Sequence, residues 1–278
     1  MKFPGGSTLL MSIYFKDKVN LFEKAIDSVY QSSIIPDEVI LIQDGPLPQE
    51  LNHSIEEKQK EYQFKVYSLD KNQGLAKALN FGISKASTEW IIRADADDEN
   101  IKNRFELQAS CIIKNEELDQ PLDLIGGSIQ EVDLDGNSLA IRTPPSSHKE
   151  ILQYAKNRNP FNHMTVCFRK KIALQSGGYP NIFLKEDYAL WAKMLNNGAR
   201  AYNLQEKLVL ATTGKDMYKR RGGLKYAYAE IALQKHLYHC KIKNLFEAIV
   251  FGTVRSLIFV MPPFLRELIY INLLRKSN

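Results

Sequence analysis

Over residues 7–94, short apolar runs alternate with segments whose apolar residues recur at helical spacing, and this alternation restricts the fold more than any other feature. STLLMSIYF (7–15) reads as a buried strand. VNLFEKAIDSVYQSS (19–33) sets Leu21, Phe22, Ala25, Ile26 and Val29 on one face of a predicted helix. Pro36 stops it, and EVILIQDGP (38–46) is a continuous apolar run closed by a turn signal. Such runs suit a parallel sheet covered on both faces. A polar helix (48–61), a strand FKVYSL (64–69), a helix GLAKALNFGISKA (74–86) and a strand EWIIRA (89–94) continue the series. Strand–helix alternation implies right-handed crossovers, so the predicted class is α/β with a doubly wound, mostly parallel sheet.

In such sheets ligands bind beyond the carboxyl ends of the strands. Asp44 and the pair Asp95/Asp97 each fall just past a strand end, which puts two acidic turns on one rim. The second turn crowds Asp95, Asp97 and Asp98 together, and like charges that close repel unless a positive charge lies between them. Taken alone, a solvated turn capping the next helix is the simplest reading. A calcium loop is another, with Asp95, Asp97 and Glu106 at ligand positions. It conflicts with Asn100, which stands where the sharp turn needs glycine, and with the strand that precedes it. The third reading is a D-x-D site for Mg²⁺ or Mn²⁺ and a nucleotide diphosphate, because these ions take oxygen ligands from one or two carboxylates plus phosphate.

After residue 121 the pattern changes. LDLIGGSIQEVDLDGNSLAIRTPP reads as strand, hairpin and strand, so Asp133 and Asp135 are turn chemistry and not a metal pair. A helix (147–157), a strand HMTVCFR (163–169) and a helix DYALWAKMLNN (187–197), with Trp191 facing the core, follow. Residues 222–275 read as two or three helices broken at Pro262-Pro263. Cys111, Cys167 and Cys240 are scattered and odd in number, which excludes a disulfide framework or zinc site and points to a reducing compartment. The opening MKFPGGSTLL lacks the apolar stretch of a signal peptide, so a cytoplasmic location is expected. From Lys215 onward there are twelve Lys/Arg against four Asp/Glu, and with a net charge of +5 the preceding residues are slightly acidic. A basic tail implies an anionic partner such as membrane, phosphate or nucleic acid. The apolar run 245–265 is interrupted by Glu247 and Arg255, leaving no span long enough to cross a bilayer. An amphipathic segment in the membrane interface fits it, as do helices packed on the catalytic domain.

The segments IQDGP, NQGLAKALNFGI, RADADD…NRFELQ, NHMTVCFRK, SGGYP and KEDYALWAKML stand in order over residues 7–225. Together they resemble the family 2 glycosyltransferases of the GT-A (Rossmann-like) fold, and within these the bacterial enzymes that extend O-antigen or capsule repeat units. The resemblance implies a catalytic domain over 1–221, with a nucleotide-sugar half at about 1–120 and an acceptor half at about 121–221. Residues 222–278 become a helical, basic, membrane-associating extension. The implied reaction moves one hexose, with inversion, from a UDP-sugar to a polyprenyl-diphosphate-linked saccharide at the inner face of the cytoplasmic membrane. Mn²⁺ or Mg²⁺ is the implied cofactor, and no nucleic acid is expected. Processive relatives carry Q-x-x-R-W and several membrane spans; neither is found here, which favours single-sugar addition.

The same resemblance assigns residues. Asp44 accepts the N3–H of uracil, a choice an acceptor-only carboxylate can make against cytosine. Gln43 replaces the first aspartate that many relatives carry at this turn. Ser12 and Tyr14 line the nucleoside pocket. Asp97 is the main metal ligand, with Asp95 near the ribose and the ion, while Asp98 braces the loop. Lys77 and Arg93 contact phosphate or sugar, or else form surface ion pairs; Asn72 and Gly74 are structural. Asp187 is the general base, and Glu186 binds acceptor or raises the pKa of Asp187, although an acidic pair at a helix start is the plain alternative. His163 approaches the acceptor or is structural. Arg220 and Arg221 fold over a diphosphate or begin a solvated helix. Two rival functions are a sugar-phosphate nucleotidyltransferase, for which the glycine-rich basic loop after the first strand is missing, and a nucleic-acid-binding protein using the basic tail.

Overall fold

The computed structural model describes residues 2–213 and 222–262. The first seven elements follow the predicted alternation: β1 (Ser7–Ile13), α1 (Val19–Tyr30), β2 (Glu38–Gln43), α2 (Gln49–Glu61), β3 (Lys65–Ser68), α3 (Leu75–Lys85) and β4 (Trp90–Asp95). Next come β5 (Glu99–Asn100), α4 (Arg104–Glu117), β6 (Leu124–Val132), β7 (Ser138–Arg142) and α5 (His148–Tyr154). A 3₁₀ turn (His163–Thr165) leads into β8 (Cys167–Arg169), α6 (Lys170–Gln175), α7 (Glu186–Asn196) and β9 (Ala201–Thr212). Two helices, α8 (Leu224–His239) and α9 (Leu245–Val260), complete the described chain.

One sheet runs β3-β2-β1-β4-β8-β6-β9-β5, with β7 paired to β6. The expected parallel arrangement holds for β3, β2, β1 and β4. Beyond β4 the sheet is mixed, because β8 runs antiparallel to both β4 and β6 while β6 and β9 are parallel. Continuous apolar strands make sense in this setting, since each face of β1 is covered. Leu9, Met11 and Ile13 pack with Phe22, Ile26 and Val29 of α1 on one side. Leu10, Ile40 and Ile42 pack with Ala78, Leu79 and Ile83 of α3 on the other. Full burial of each such side chain is worth about 1.5–3 kcal/mol.

The segment 163–169, expected as one strand, splits. Thr165 closes the 3₁₀ turn by donating from both its backbone N–H and its hydroxyl to the Asn162 carbonyl, at 2.9 and 2.8 Å, which leaves only three residues to pair. The C-terminal helices are docked. Leu233 and Leu237 of α8 are fully buried in the same core as Trp191 of α7, and His236 Nε2 lies 2.9 Å from the Ala189 carbonyl. Phe246, Ile249 and Leu257 of α9 face outward, 76%, 58% and 55% exposed. Among the described residues no helix is long and apolar enough to cross a membrane.

Candidate active site

The carboxyl ends of β1, β2 and β4 lie side by side, and the register sets Ser12 opposite both Ile42 and Asp95. Three turns leave this rim. In the first, Tyr14 N–H donates to Asp17 Oδ2 at 2.8 Å and Asp17 N–H returns to the Tyr14 carbonyl at 3.0 Å, leaving the Tyr14 ring half-exposed. Burial pushes the Asp17 carboxyl up to about 7, with the Asp97 and Asp95 carboxylates adding to the shift. Asp17 is a further candidate site residue, which the sequence reading did not single out. Its signal was a further carboxylate just past a strand end, three residues after Tyr14.

The second turn is built on Asp44. Its buried carboxylate accepts Gln73 N–H at 2.7 Å and Gly74 N–H at 2.9 Å, while Asn72 Nδ2 donates to the Asp44 carbonyl at 3.1 Å. Asn72 and Gly74 are thus structural, as expected. Each carboxylate oxygen keeps a second lone pair for a ligand donor. Lys77 stands exposed on the first turn of α3, which starts from this loop.

The third turn carries the acidic cluster. Arg93 is buried and donates from Nη2 to Asp95 Oδ1, so its pairing is internal and the surface ion pair considered above is not formed. Arg93 Nε and Nη1 find no hydrogen-bond partner among the described residues. The fully buried Arg104 of α4 holds the strand from below, donating from Nη2 to the Arg93 carbonyl at 2.7 Å. Asn100 donates from N–H and Nδ2 to Ser28 Oγ of α1, both at 2.9 Å. Asp98 turns inward to accept Thr212 N–H of β9 at 2.8 Å and braces the loop as expected. Asp97 projects outward; the enclosing groups and the Asp95 carboxylate push it up to about 6.

These residues suit a hard divalent ion. The Asp95 carboxylate raises the proton affinity of Asp97, a repulsion that a cation would relieve, and only oxygen ligands are on offer. Among the described residues no three His, Cys, Asp or Glu side chains converge to hold a metal. The Asp95/Asp97 pair therefore matches the mode in which phosphate and water complete the shell.

A second pair of acids lies at the start of α7. Glu186 is buried, and burial together with the adjacent Asp187 carboxylate pushes it up to about 7. Asp187 accepts from Asn159 Nδ2 at 2.6 Å, a partner the sequence did not single out. Neither acid is the N-cap, which is Lys185; both lie in the first turn, where negative charge suits the helix dipole. His163 Nε2 sits 3.1 Å from the Tyr179 hydroxyl, and its ring packs against Trp191. Burial and then Arg93 lower His163 to about 4, so it is neutral at physiological pH. Arg93 N–H donates to the Val166 carbonyl at 2.9 Å and the His163 ring meets Trp191, so the 3₁₀ turn links β4 to α7. Arg220 and Arg221 lie outside the described residues.

Glycosyl transferase family 2 matches residues 9–178, a stretch that includes all three turns. The chain is 38% identical over 97% of its length to 96% of the UDP-Gal:alpha-D-GlcNAc-diphosphoundecaprenol beta-1,3-galactosyltransferase of Escherichia coli. It is 30% identical over 95% of its length to 97% of an amylovoran biosynthesis glycosyltransferase of Erwinia amylovora. The structure of S. aureus TarS residues 1–349 in complex with UDP-GlcNAc superposes with a TM-score of 0.68, covering 98% of this chain and 76% of that one at 17% identity. A mixed sheet with its acidic turns on one rim, the same fold in a solved glycosyltransferase structure and a family match across more than half the sequence agree. This chain belongs to glycosyl transferase family 2 and is a glycosyltransferase of the GT-A fold.

Proposed function

We propose that the enzyme transfers a single hexose from a UDP-sugar to a polyprenyl-diphosphate-linked saccharide, with inversion, during surface-polysaccharide assembly. The observation that carries the chemistry is Asp187, oriented by Asn159 at the start of α7, the helix whose Trp191 packs against His163. The near full-length likeness to the E. coli galactosyltransferase supports the choice of donor and acceptor class. The amylovoran relative supports a role in polysaccharide assembly.

In this reading Ser12, Tyr14 and Asp44 hold the uridine, and Asp44 takes the uracil N3–H on a lone pair not used by Gln73 or Gly74. Arg93 fixes the direction of Asp95. A divalent ion on Asp97 and Asp95, when bound, neutralises charge on the departing diphosphate. Lys77, exposed on the first turn of α3, is assigned to the same phosphates. Asp187 removes the proton of the acceptor hydroxyl as its oxygen forms the new bond to the anomeric carbon and the bond to UDP breaks. A single displacement inverts the anomeric centre. Glu186, raised to about 7 and so partly protonated near neutral pH, donates a hydrogen bond toward the acceptor in its protonated form. Arg220 and Arg221 are assigned to diphosphate contact on sequence grounds alone. The lipid-linked acceptor and the outward apolar face of α9 support a peripheral position on the inner face of the cytoplasmic membrane.

The test is a panel of UDP-sugars with a lipid-diphosphate-linked N-acetylhexosamine, read by UDP release. Asp187→Asn should lower turnover by about 10²–10⁴-fold, the usual worth of a positioned base, with UDP affinity unchanged within a few-fold. Near-normal turnover in that variant, or a product of retained configuration, would overturn the assignment.

A further inference from the structure

Glu230 of α8 is completely buried, yet no catalytic role considered so far uses it. Gln234 Nε2 donates to its Oε1 at 2.7 Å, Lys185 Nζ lies 3.4 Å from Oε2 and Arg255 Nη1 lies 3.4 Å from Oε1. Burial alone raises the proton affinity of this carboxyl, but Lys185 and Arg255 outweigh it and hold Glu230 below the usual carboxylate range. A buried carboxylate persists only when it is paired in this way, and removing one partner leaves the others uncompensated.

Both cations lead to Asp187. Lys185 is the N-cap of α7, immediately before Glu186 and Asp187, and it follows Leu184, whose φ of 55° is a left-handed conformation unusual for a residue with a side chain. Such a conformation persists when surrounding contacts over-determine it. Arg255 of α9 reaches the other way, donating from Nη2 to the Asn157 carbonyl. Two residues on, Asn159 donates to Asp187 Oδ2 at 2.6 Å. One arm sets the backbone that carries the base, and the other sets the loop that orients its carboxylate.

We infer that Glu230 is a positioning residue for Asp187, acting through Lys185 and Arg255, so that α8 and α9 are part of the catalytic apparatus. The inference rests on Asp187 being the base.

The experiment uses the full chain, with turnover normalised to the number of UDP-binding sites. Glu230→Gln keeps the shape and removes the charge. Turnover should fall about 10–100-fold, the scale expected when a catalytic group is slightly misplaced, while donor KM and UDP affinity stay within about threefold. In an Asp187→Asn background the same substitution should change residual turnover less than about twofold, because residues that act through one another are non-additive. A full-sized additional loss there, or a fall in UDP affinity matching the fall in turnover, would show a merely structural role and overturn the inference. If Glu230→Gln does not fold, Lys185→Gln and Arg255→Met each cut one arm and should show the same turnover-only defect; normal turnover in both overturns it. Failure of the base assignment itself reads differently, as an Asp187→Asn protein that turns over normally whatever is done at Glu230.

Discussion

Both oxygens of Asp44 receive backbone N–H groups from the loop that opens α3, so one carboxylate joins folding to nucleotide choice. Asp44→Ala removes the acceptor of two part-buried backbone donors, each bond worth about 0.5–1.5 kcal/mol, and urea unfolding should register a loss of that order or more. Asp44→Asn can accept but presents an amide to one of those N–H groups, so it should fall between. The unaltered protein should bind UDP at least about tenfold more tightly than CDP, a difference of about 1.4 kcal/mol, and the Asn variant should lose that preference. Equal affinity for the two nucleotides in the parent would remove Asp44 from base reading. Glu186 carries a pH signature of opposite sense to a paired acid. Its carboxyl rises from 4.5 to about 7 on folding, so the native state binds a proton that the unfolded chain has released across that window. The carboxyl sets no penalty on folding below pH 4.5 and a growing one as pH climbs toward 7. Glu186→Gln should match the parent near pH 4 and exceed it at pH 8 by about 1–3 kcal/mol. Urea midpoints that run parallel for the two proteins across pH would sink this account.

At the scale of elements, two glycines separate conformation from crowding. Gly45 and Gly74 have φ of 89° and 88°, but a Cβ on Gly45 meets Asn72 N at 2.3 Å while one on Gly74 meets nothing within 4 Å. Gly74→Ala should therefore cost about 1–3 kcal/mol from its positive-φ, extended-ψ backbone alone. Gly45→Ala must also push the Asp44-bound loop aside; its Tm should fall further, and its UDP affinity with it. Equal Tm losses would count against the close approach of these turns. The parallel half was legible because buried strands and amphipathic helices each write a periodic signal. β9 was not. Gln205, Glu206 and Lys207 are exposed in its middle, and its pairing with β6 shifts register twice near Ser128, so neither alternation nor a continuous apolar run survives. β5 has two residues and α6 has six, too few for any period. At the site, Asp44, Asp95 and Asp97 stood out because they follow strand ends, while Asp187 was reached only through the family resemblance. Asn159 and Glu230 act through partners distant in sequence, which no local spacing announces, whereas Asp17 is bonded within its own turn and carried a local signal that was passed over.

For the whole molecule, the described helices offer two faces with different fates: α8 completes the core through Leu233 and Leu237, while Phe246, Ile249 and Leu257 of α9 remain outside. With a net charge of +5 weighted to the C-terminal part, the protein should sediment with anionic vesicles and be partly released as salt screens exposed charge. Phe246→Ser with Leu257→Ser should weaken that binding without altering UDP affinity; a parent protein that ignores anionic lipid would remove the membrane role. Excess chelator should abolish transfer, with Mn²⁺ or Mg²⁺ restoring it, and undiminished turnover in chelator would discard the ion. Asp98 lies 114 residues before Thr212, whose N–H it accepts, and β5 closes the sheet only by pairing with β9. On the ribosome, therefore, the turn bearing Asp97 emerges long before the strand that steadies it. A nascent chain halted short of β9 should present its acidic residues to solvent without a fixed donor pocket, and sugar-nucleotide binding should switch on late, as the final strand slots in.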